Sequence, residues 1–299
     1  VQLSALRRPT AAPDARPTAA YRVRHPRLAA VFPLRLHADG GGEAVTNLVL
    51  SLFPGIGLFD RAFEEEGFCI VRGPDILWGG DVRTFHPPAG RFDGVIGGPP
   101  CQAFSSLVHI VRHRYGDEAV ADNLIPEFER IVAEAAPTWF VMENVPAAPE
   151  PSVPGYCTRS VKLNNRWFGA EQERKRRFAF GLHARPVPDP WRYIELATLE
   201  SAEWSPAVLA QGKTKMELDR GGKPKNSSRA SQLRTLGYVN RTNIAEYLRL
   251  QGLPPDYFDH SPLTVEGKTR MLGNGVPLPL GRAVARALKA MIAELERVA

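Results

Sequence analysis

Cysteine is scarce in this chain: Cys69, Cys101 and Cys157 are the only three among 299 residues. An odd, widely spaced set argues against a disulfide framework. It also lacks the paired spacing of a zinc site, so no metal is expected. No apolar run is long enough to cross a bilayer and no secretory leader is recognisable, so the expectation is a reducing, intracellular compartment and no membrane partner. The dinucleotide fingerprint G-x-G-x-x-G is missing, which argues against a nicotinamide oxidoreductase. No internal repeat is visible. What is present is ordinary for a globular protein, with 43% apolar and 23% charged residues. Lysine and arginine (38) exceed aspartate and glutamate (32), a net charge of +6 that agrees with a polyanionic partner without requiring one.

The chain divides by texture. Residues 1–45 are rich in Ala, Pro and Arg without apolar period, and read as a flexible N-terminal arm. Residues 46–181 alternate strands with helices. Leu48 to Phe53 is an apolar run halted by Pro54-Gly55, and Leu58, Phe59, Ala62 and Phe63 recur at helical spacing until Gly67. Short strands follow at Cys69–Val71 and Gly94–Ile96. A helix is expected over Glu127–Ala136, ended by Pro137, then strands at Trp139–Met142 and Arg177–Phe180. This alternation implies an α/β fold, a parallel sheet with helices on both faces. Residues 182–240 lose periodicity and carry Gly, Pro and Lys, as a small irregular second domain would. Order returns over 241–299, ending in an amphipathic helix from about Gly281.

Four segments carry chemistry. Phe53-Pro54-Gly55-Ile56-Gly57 is a tight glycine turn between strand and helix, where open α/β sheets bind ligands, although such a turn is commonly only a turn. Gly97-Gly98-Pro99-Pro100-Cys101-Gln102 follows a strand, so its cysteine is either a held nucleophile or an inert thiol. Glu143-Asn144-Val145 ends another strand and can bring a carboxylate to the same cleft. Gln172-Glu173-Arg174-Lys175-Arg176-Arg177 is a basic run suited to phosphate or base recognition, or to plain solvation.

In this order the four segments resemble the DNA (cytosine-5-)-methyltransferase family. The likeness continues through Arg241–Pro254 and through Arg270-Met271-Leu272-Gly273-Asn274-Gly275-Val276-Pro277, covering roughly residues 48–181 and 241–299. It implies an S-adenosylmethionine-dependent methyltransferase (Rossmann-like) sheet with a small target-recognition domain at 182–240. S-adenosyl-L-methionine would be held by Phe53, Pro54, Gly55, Gly57, Pro99, Asn274 and Val276, with Asp75 at the ribose and Asp81 at the adenine. Only five residues separate those two aspartates, where the family commonly has a helix. Cys101 would attack C6 of a flipped-out cytosine, Glu143 would hydrogen-bond N3, Arg174 would contact O2 and Arg176 would support the site. Double-stranded DNA would meet Gln102, the loop residues Ser105, Arg112 and Arg114, and the basic residues Lys213, Lys215, Lys225 and Arg229. The resemblance further implies a monomeric cytoplasmic enzyme, bacterial or phage-encoded. An RNA (tRNA) cytosine-5 methyltransferase on the same scaffold and a catalytically inactive DNA-binding relative are the alternatives.

Overall fold

The protein is represented by a computed structural model that describes residues 47–104, 113, 122–197, 205–206 and 244–298. The expected arm at 1–45 and most of the expected target-recognition segment lie outside the described residues. Strand β1 (Leu48–Leu52) is apolar and almost wholly buried, because both faces of a central parallel strand are covered. Helix α1 (Leu58–Glu65) turns Leu58, Phe59, Ala62 and Phe63 inward. Strands β2 (Cys69–Arg72) and β3 (Gly94–Gly97) follow, then α2 (Ile125–Ala135) and β4 (Trp139–Asn144). Next come β5 (Tyr156–Asn164), the two-residue β6 (Gln172–Glu173), β7 (Lys175–His183) and the two-residue β8 (Ser205–Pro206). Helices α3 (Ile244–Leu250), α4 (Val265–Asn274) and α5 (Leu278–Val298) close the described chain.

The main sheet has six strands in the order β2-β1-β3-β4-β7-β5. The first four are parallel, but β7 runs antiparallel to both β4 and β5. The expected all-parallel sheet is therefore corrected to a mixed one. The cause is local: β5 reaches β7 through a short excursion at 165–174, too short for a crossover helix, so the chain doubles back antiparallel. Strand β5 itself was not expected. Its Cys157, Arg159 and Lys162 are exposed, so it carries no continuous apolar run.

Two cores lie on opposite faces of the sheet. On one face, Val49, Trp139, Val141, Phe178 and Phe180 pack with Phe63 of α1 and with Val284, Leu288 and Met291 of α5. On the other, Leu50, Leu52, Val95, Phe140 and Met142 pack with Phe128, Ile131 and Val132 of α2. A third cluster seats α3 and α4 against Leu58 and Ala62 of α1. Between β2 and β3, where a crossover helix is usual, the chain makes only two 3-10 turns, Ile76–Trp78 and Val82–Thr84. Among the described residues no helix is long and apolar enough to cross a membrane.

Candidate active site

Parallel packing sends β1, β3 and β4 out along one edge of the sheet, so the loops after them converge. The loop after β1 is the glycine turn. Phe53, Gly55 and Gly57 all take left-handed backbone, with φ of 57°, 56° and 78°. That geometry is natural for glycine and strained for a phenylalanine, so the surrounding contacts must impose it. Gly57 N donates to Pro54 O at 2.7 Å, and Tyr257 Oη donates to Ile56 O at 2.8 Å. Gly55 N donates to Asp75 Oδ2 at 2.8 Å, and Trp78 Nε1 donates to Gly55 O at 2.9 Å.

A charge cluster built on the buried Asp60 supports the turn. Ser51 Oγ donates to Asp60 Oδ1 at 2.5 Å, and Arg72 Nε donates to Asp60 Oδ2 at 2.8 Å. Burial pushes the Asp60 carboxyl above its ordinary value, and the Ser51 hydroxyl and Arg72 guanidinium oppose that rise. The Arg72 guanidinium lies against the turn: a Cβ at Gly57 would stand 2.5 Å from its Nη2. Gly57→Ala must then both hold left-handed backbone and displace Arg72. The expected outcome is a loss of about 1–2 kcal/mol in denaturant unfolding together with weaker cofactor binding by calorimetry. Unchanged cofactor affinity would move the cofactor site away from this turn.

The residues here suit the cofactor that the resemblance implies. A Cβ at Gly55 would meet open space, so the backbone there is open to a ligand. Beside it Ile76 and Trp78 are 82% and 56% exposed, an unusual display of apolar surface next to a carboxylate. A purine and a ribose require just that pairing of an apolar platform with an acceptor. Asp75 caps the first 3-10 turn through Leu77 N at 2.8 Å and also touches the glycine turn. Asp81 caps the second through Arg83 N at 2.9 Å, and its contacts stay within that turn. Asn274 is exposed and Val276 buried after α4, at the end of the C-terminal return.

The loop after β3 presents Cys101 at the start of a 3-10 turn, Cys101–Phe104. Pro99 O accepts from Asn144 Nδ2 at 3.1 Å, which ties this loop to the end of β4. Glu143, at the end of β4, is buried, and its Oε1 stands 2.7 Å from Arg176 Nε on β7. A Cβ at Gly98 would come within 3.0 Å of Glu143 Oε2, so a side chain there would crowd the carboxylate. Burial pushes the Cys101 thiol up, with Arg176 and Arg174 pulling it down and Glu143 pushing it further. Burial likewise raises the Glu143 carboxyl, against the pull of Arg176 and Arg174. These four groups share one electrostatic site.

The basic run does not act as a single unit. Arg174 is 2% exposed, and its Nη2 donates to Gly273 O at 2.7 Å and Gly275 O at 3.0 Å. Burial and the neighbouring Arg176 lower its pKa to about 9. Its Nη2 thus faces the C-terminal return, whereas Arg176 meets Glu143. Arg177 instead holds the proline-rich link after β4, donating to Ala148 O at 2.7 Å and Pro146 O at 3.1 Å. Gln102 is exposed beside Cys101. The expected DNA contacts Ser105, Arg112, Arg114, Lys213, Lys215, Lys225 and Arg229 lie outside the described residues.

Sequence reasoning missed Ser51, Asp60, Arg72, Trp78 and Tyr257. The exposed Ile-Leu-Trp stretch after Asp75 was a usable signal for Trp78. The Ser51–Asp60–Arg72 cluster depends on the β1–β2 register, which pairs Ser51 with Arg72, and left no local mark. Among the described residues no group of three or more His, Cys, Asp or Glu side chains could hold a metal ion.

Residues 79–204 match the C-5 cytosine-specific DNA methylase family. The chain is 25% identical over 263 residues to the orphan methyltransferase M.SPRI of Bacillus phage SPR, an alignment covering 75% of this chain and 53% of that protein. It is 23% identical over 328 residues to the type II methyltransferase M.NgoPII of Neisseria gonorrhoeae, covering 81% and 95% of the two chains. Its fold is that of the methyltransferase EhMeth of Entamoeba histolytica, with a TM-score of 0.54 at 13% identity, over 83% of this chain and 98% of that one.

Proposed function

The chain belongs to the C-5 cytosine-specific DNA methylase family, and we propose that it methylates C5 of a cytosine flipped out of a specific double-stranded DNA sequence. The single observation that carries this reading is the convergence of Cys101, Glu143 and Arg176, with Glu143 Oε1 2.7 Å from Arg176 Nε beside the cysteine turn. C5 of cytosine is a poor nucleophile in an aromatic ring. Addition of the Cys101 thiolate to C6 breaks that aromaticity and loads electron density onto C5, N3 and O2.

The two partners of the cysteine divide that charge. Glu143, kept protonated to higher pH by burial, donates to N3. Arg176 stands on the carboxylate and is oriented to donate to O2. Arg174, expected in that role, has an Nη2 already committed to two carbonyls, so the O2 contact passes to Arg176. Phe53, Pro54, Gly55, Gly57, Asp75, Asp81, Pro99, Asn274 and Val276 would hold S-adenosyl-L-methionine, whose sulfonium would supply an electrophilic methyl group for C5 and leave as the thioether. A base, for which solvent suffices, then takes the C5 proton; the electron pair of that bond re-forms the C5–C6 double bond and Cys101 leaves as thiolate. Stacked bases shield C5 and C6 from a half-buried cysteine, so the target must leave the duplex.

Residues 182–240 are the proposed target reader, because the catalytic segments lie outside them and phosphate contacts alone carry no sequence. Bisulfite sequencing of DNA from cells expressing the protein should show protected cytosines in one sequence context. Among Lys213, Lys215, Lys225 and Arg229, changing a base-reading residue to alanine should relax one position of that context, losing about 1–3 kcal/mol on the cognate site. Changing a phosphate contact should weaken all sequences alike. No protected cytosine in the expressing cells, with folded protein present, would overturn the DNA reading.

A further inference from the structure

Arg174 joins two parts of the molecule that are far apart in sequence. Its backbone N–H is held by Asn164 Oδ1 at 3.1 Å, at the turn out of β5. Its guanidinium lies close enough to Cys101, Glu143 and Arg176 to feel all three charges. The same guanidinium donates to the carbonyls of Gly273 and Gly275, which bracket the exposed Asn274. Gln251 Nε2 secures the carbonyl before them, Leu272 O, so the end of α4 hangs on two side chains. Of the two, only Arg174 also borders the cysteine site.

We infer that Arg174 is a positioning residue that couples cofactor binding to the cytosine pocket. The inference rests on the reading above, in which Asn274 and Val276 help to hold the cofactor. A ligand that fixes Asn274 fixes the Gly273 and Gly275 carbonyls. These hold the guanidinium in one place, and the guanidinium fixes the field in which the Glu143–Arg176 pair and Cys101 sit. Thermodynamic reciprocity then requires DNA bound in the pocket to tighten the cofactor by the same factor. The extent of the guanidinium is essential to this coupling, because Nη2 alone serves both carbonyls while the same planar group borders the cysteine site, and a compact ammonium does not reach both.

The test uses S-adenosylhomocysteine, which cannot donate a methyl group, and a duplex carrying the sequence context found by bisulfite sequencing. Calorimetry gives its affinity with and without saturating duplex, for the full chain and for Arg174→Lys and Arg174→Met. Lysine keeps the charge, whereas methionine keeps much of the volume and removes the charge, so one fold survives if the other fails. Melting curves identify folded variants. The unaltered protein should bind S-adenosylhomocysteine about tenfold more tightly with duplex present, and a folded variant should show a ratio near one. A loosened fold alone would lower both affinities and leave their ratio unchanged, so an unchanged ratio in a folded variant overturns the coupling role. A ratio near one in the unaltered protein overturns it as well. Loss of all S-adenosylhomocysteine binding by the unaltered protein would instead sink the cofactor reading on which the inference stands.

Discussion

Cys101→Ser protein should fold, bind S-adenosyl-L-methionine and fail to methylate, with turnover lower by about 10³-fold or more. In the proposed mechanism the attacking species is an anion, and a serine hydroxyl ionises far less readily than a thiol. Burial already holds the Cys101 thiol above its ordinary range, and the nearby arginines offset this in part. Serine starts from a much worse position in the same site. The same shift sets a pH signature. Below the raised thiol value, the single-turnover rate of the unaltered protein should climb with the thiolate fraction, about tenfold per pH unit. A duplex with 5-fluorocytosine at the target supplies the complementary test, because fluorine cannot leave C5 as a proton does. Cys101 should then remain bonded to C6, and a shifted band should persist on a denaturing gel. Near-normal methylation by Cys101→Ser, or no trapped complex on a verified target sequence, would remove covalent catalysis from the mechanism.

Much of this framework was legible because apolar strands mark themselves. Leu48–Leu52, Gly94–Gly97 and Trp139–Asn144 are buried on both faces, so each reads as a continuous apolar run. Cys101 and Glu143 stand just beyond or at the ends of two of those runs, which is why both stood out as candidates in the sequence. Helix α1 was visible through its spacing, and α5 through its amphipathic pattern. Strand β5 was not visible because it is an edge strand, with Cys157, Arg159 and Lys162 exposed. The direction of β7 was hidden for another reason. Parallel or antiparallel pairing is decided by the route of the chain through residues 165–174, and no single residue states it.

The arginines show a finer limit. Arg174, Arg176 and Arg177 sit within four positions, and composition treats them alike. One precedes the strand and is aimed at Gly273 and Gly275. Another meets Glu143, and the third meets Pro146 and Ala148. Each role is fixed by what lies opposite, which is tertiary information. The Ser51–Asp60–Arg72 cluster is hidden in the same way, since a serine in a strand and an aspartate in a helix become partners only through packing.

Glu143→Ala should impair both fold and chemistry, whereas Glu143→Gln should separate the two. Truncation leaves the Arg176 guanidinium, whose side chain is only 14% exposed, without its carboxyl partner. Breaking one side of a buried pair of this kind costs about 3 kcal/mol or more, because the remaining charge stays desolvated. Glutamine keeps the shape against Gly98 and can still hydrogen-bond, so Glu143→Gln should fold. Its turnover should fall by about 10²–10³-fold, as when one donor to a developing negative charge is lost. The pH dependence of stability supplies an independent check. The Glu143 carboxyl is raised by burial, so the folded protein holds this proton more tightly than the unfolded chain does. Its contribution to stability is then fully present below the ordinary carboxylate value and is lost as pH rises through the raised folded value. Glutamine has no proton to lose and lacks that decline. The melting temperature of Glu143→Gln relative to the unaltered protein should therefore rise with pH across that window. A difference that stays constant from acid to neutral pH would mean that Glu143 is ionised throughout, held by Arg176. N3 would then have to bring its own proton to the hydrogen bond.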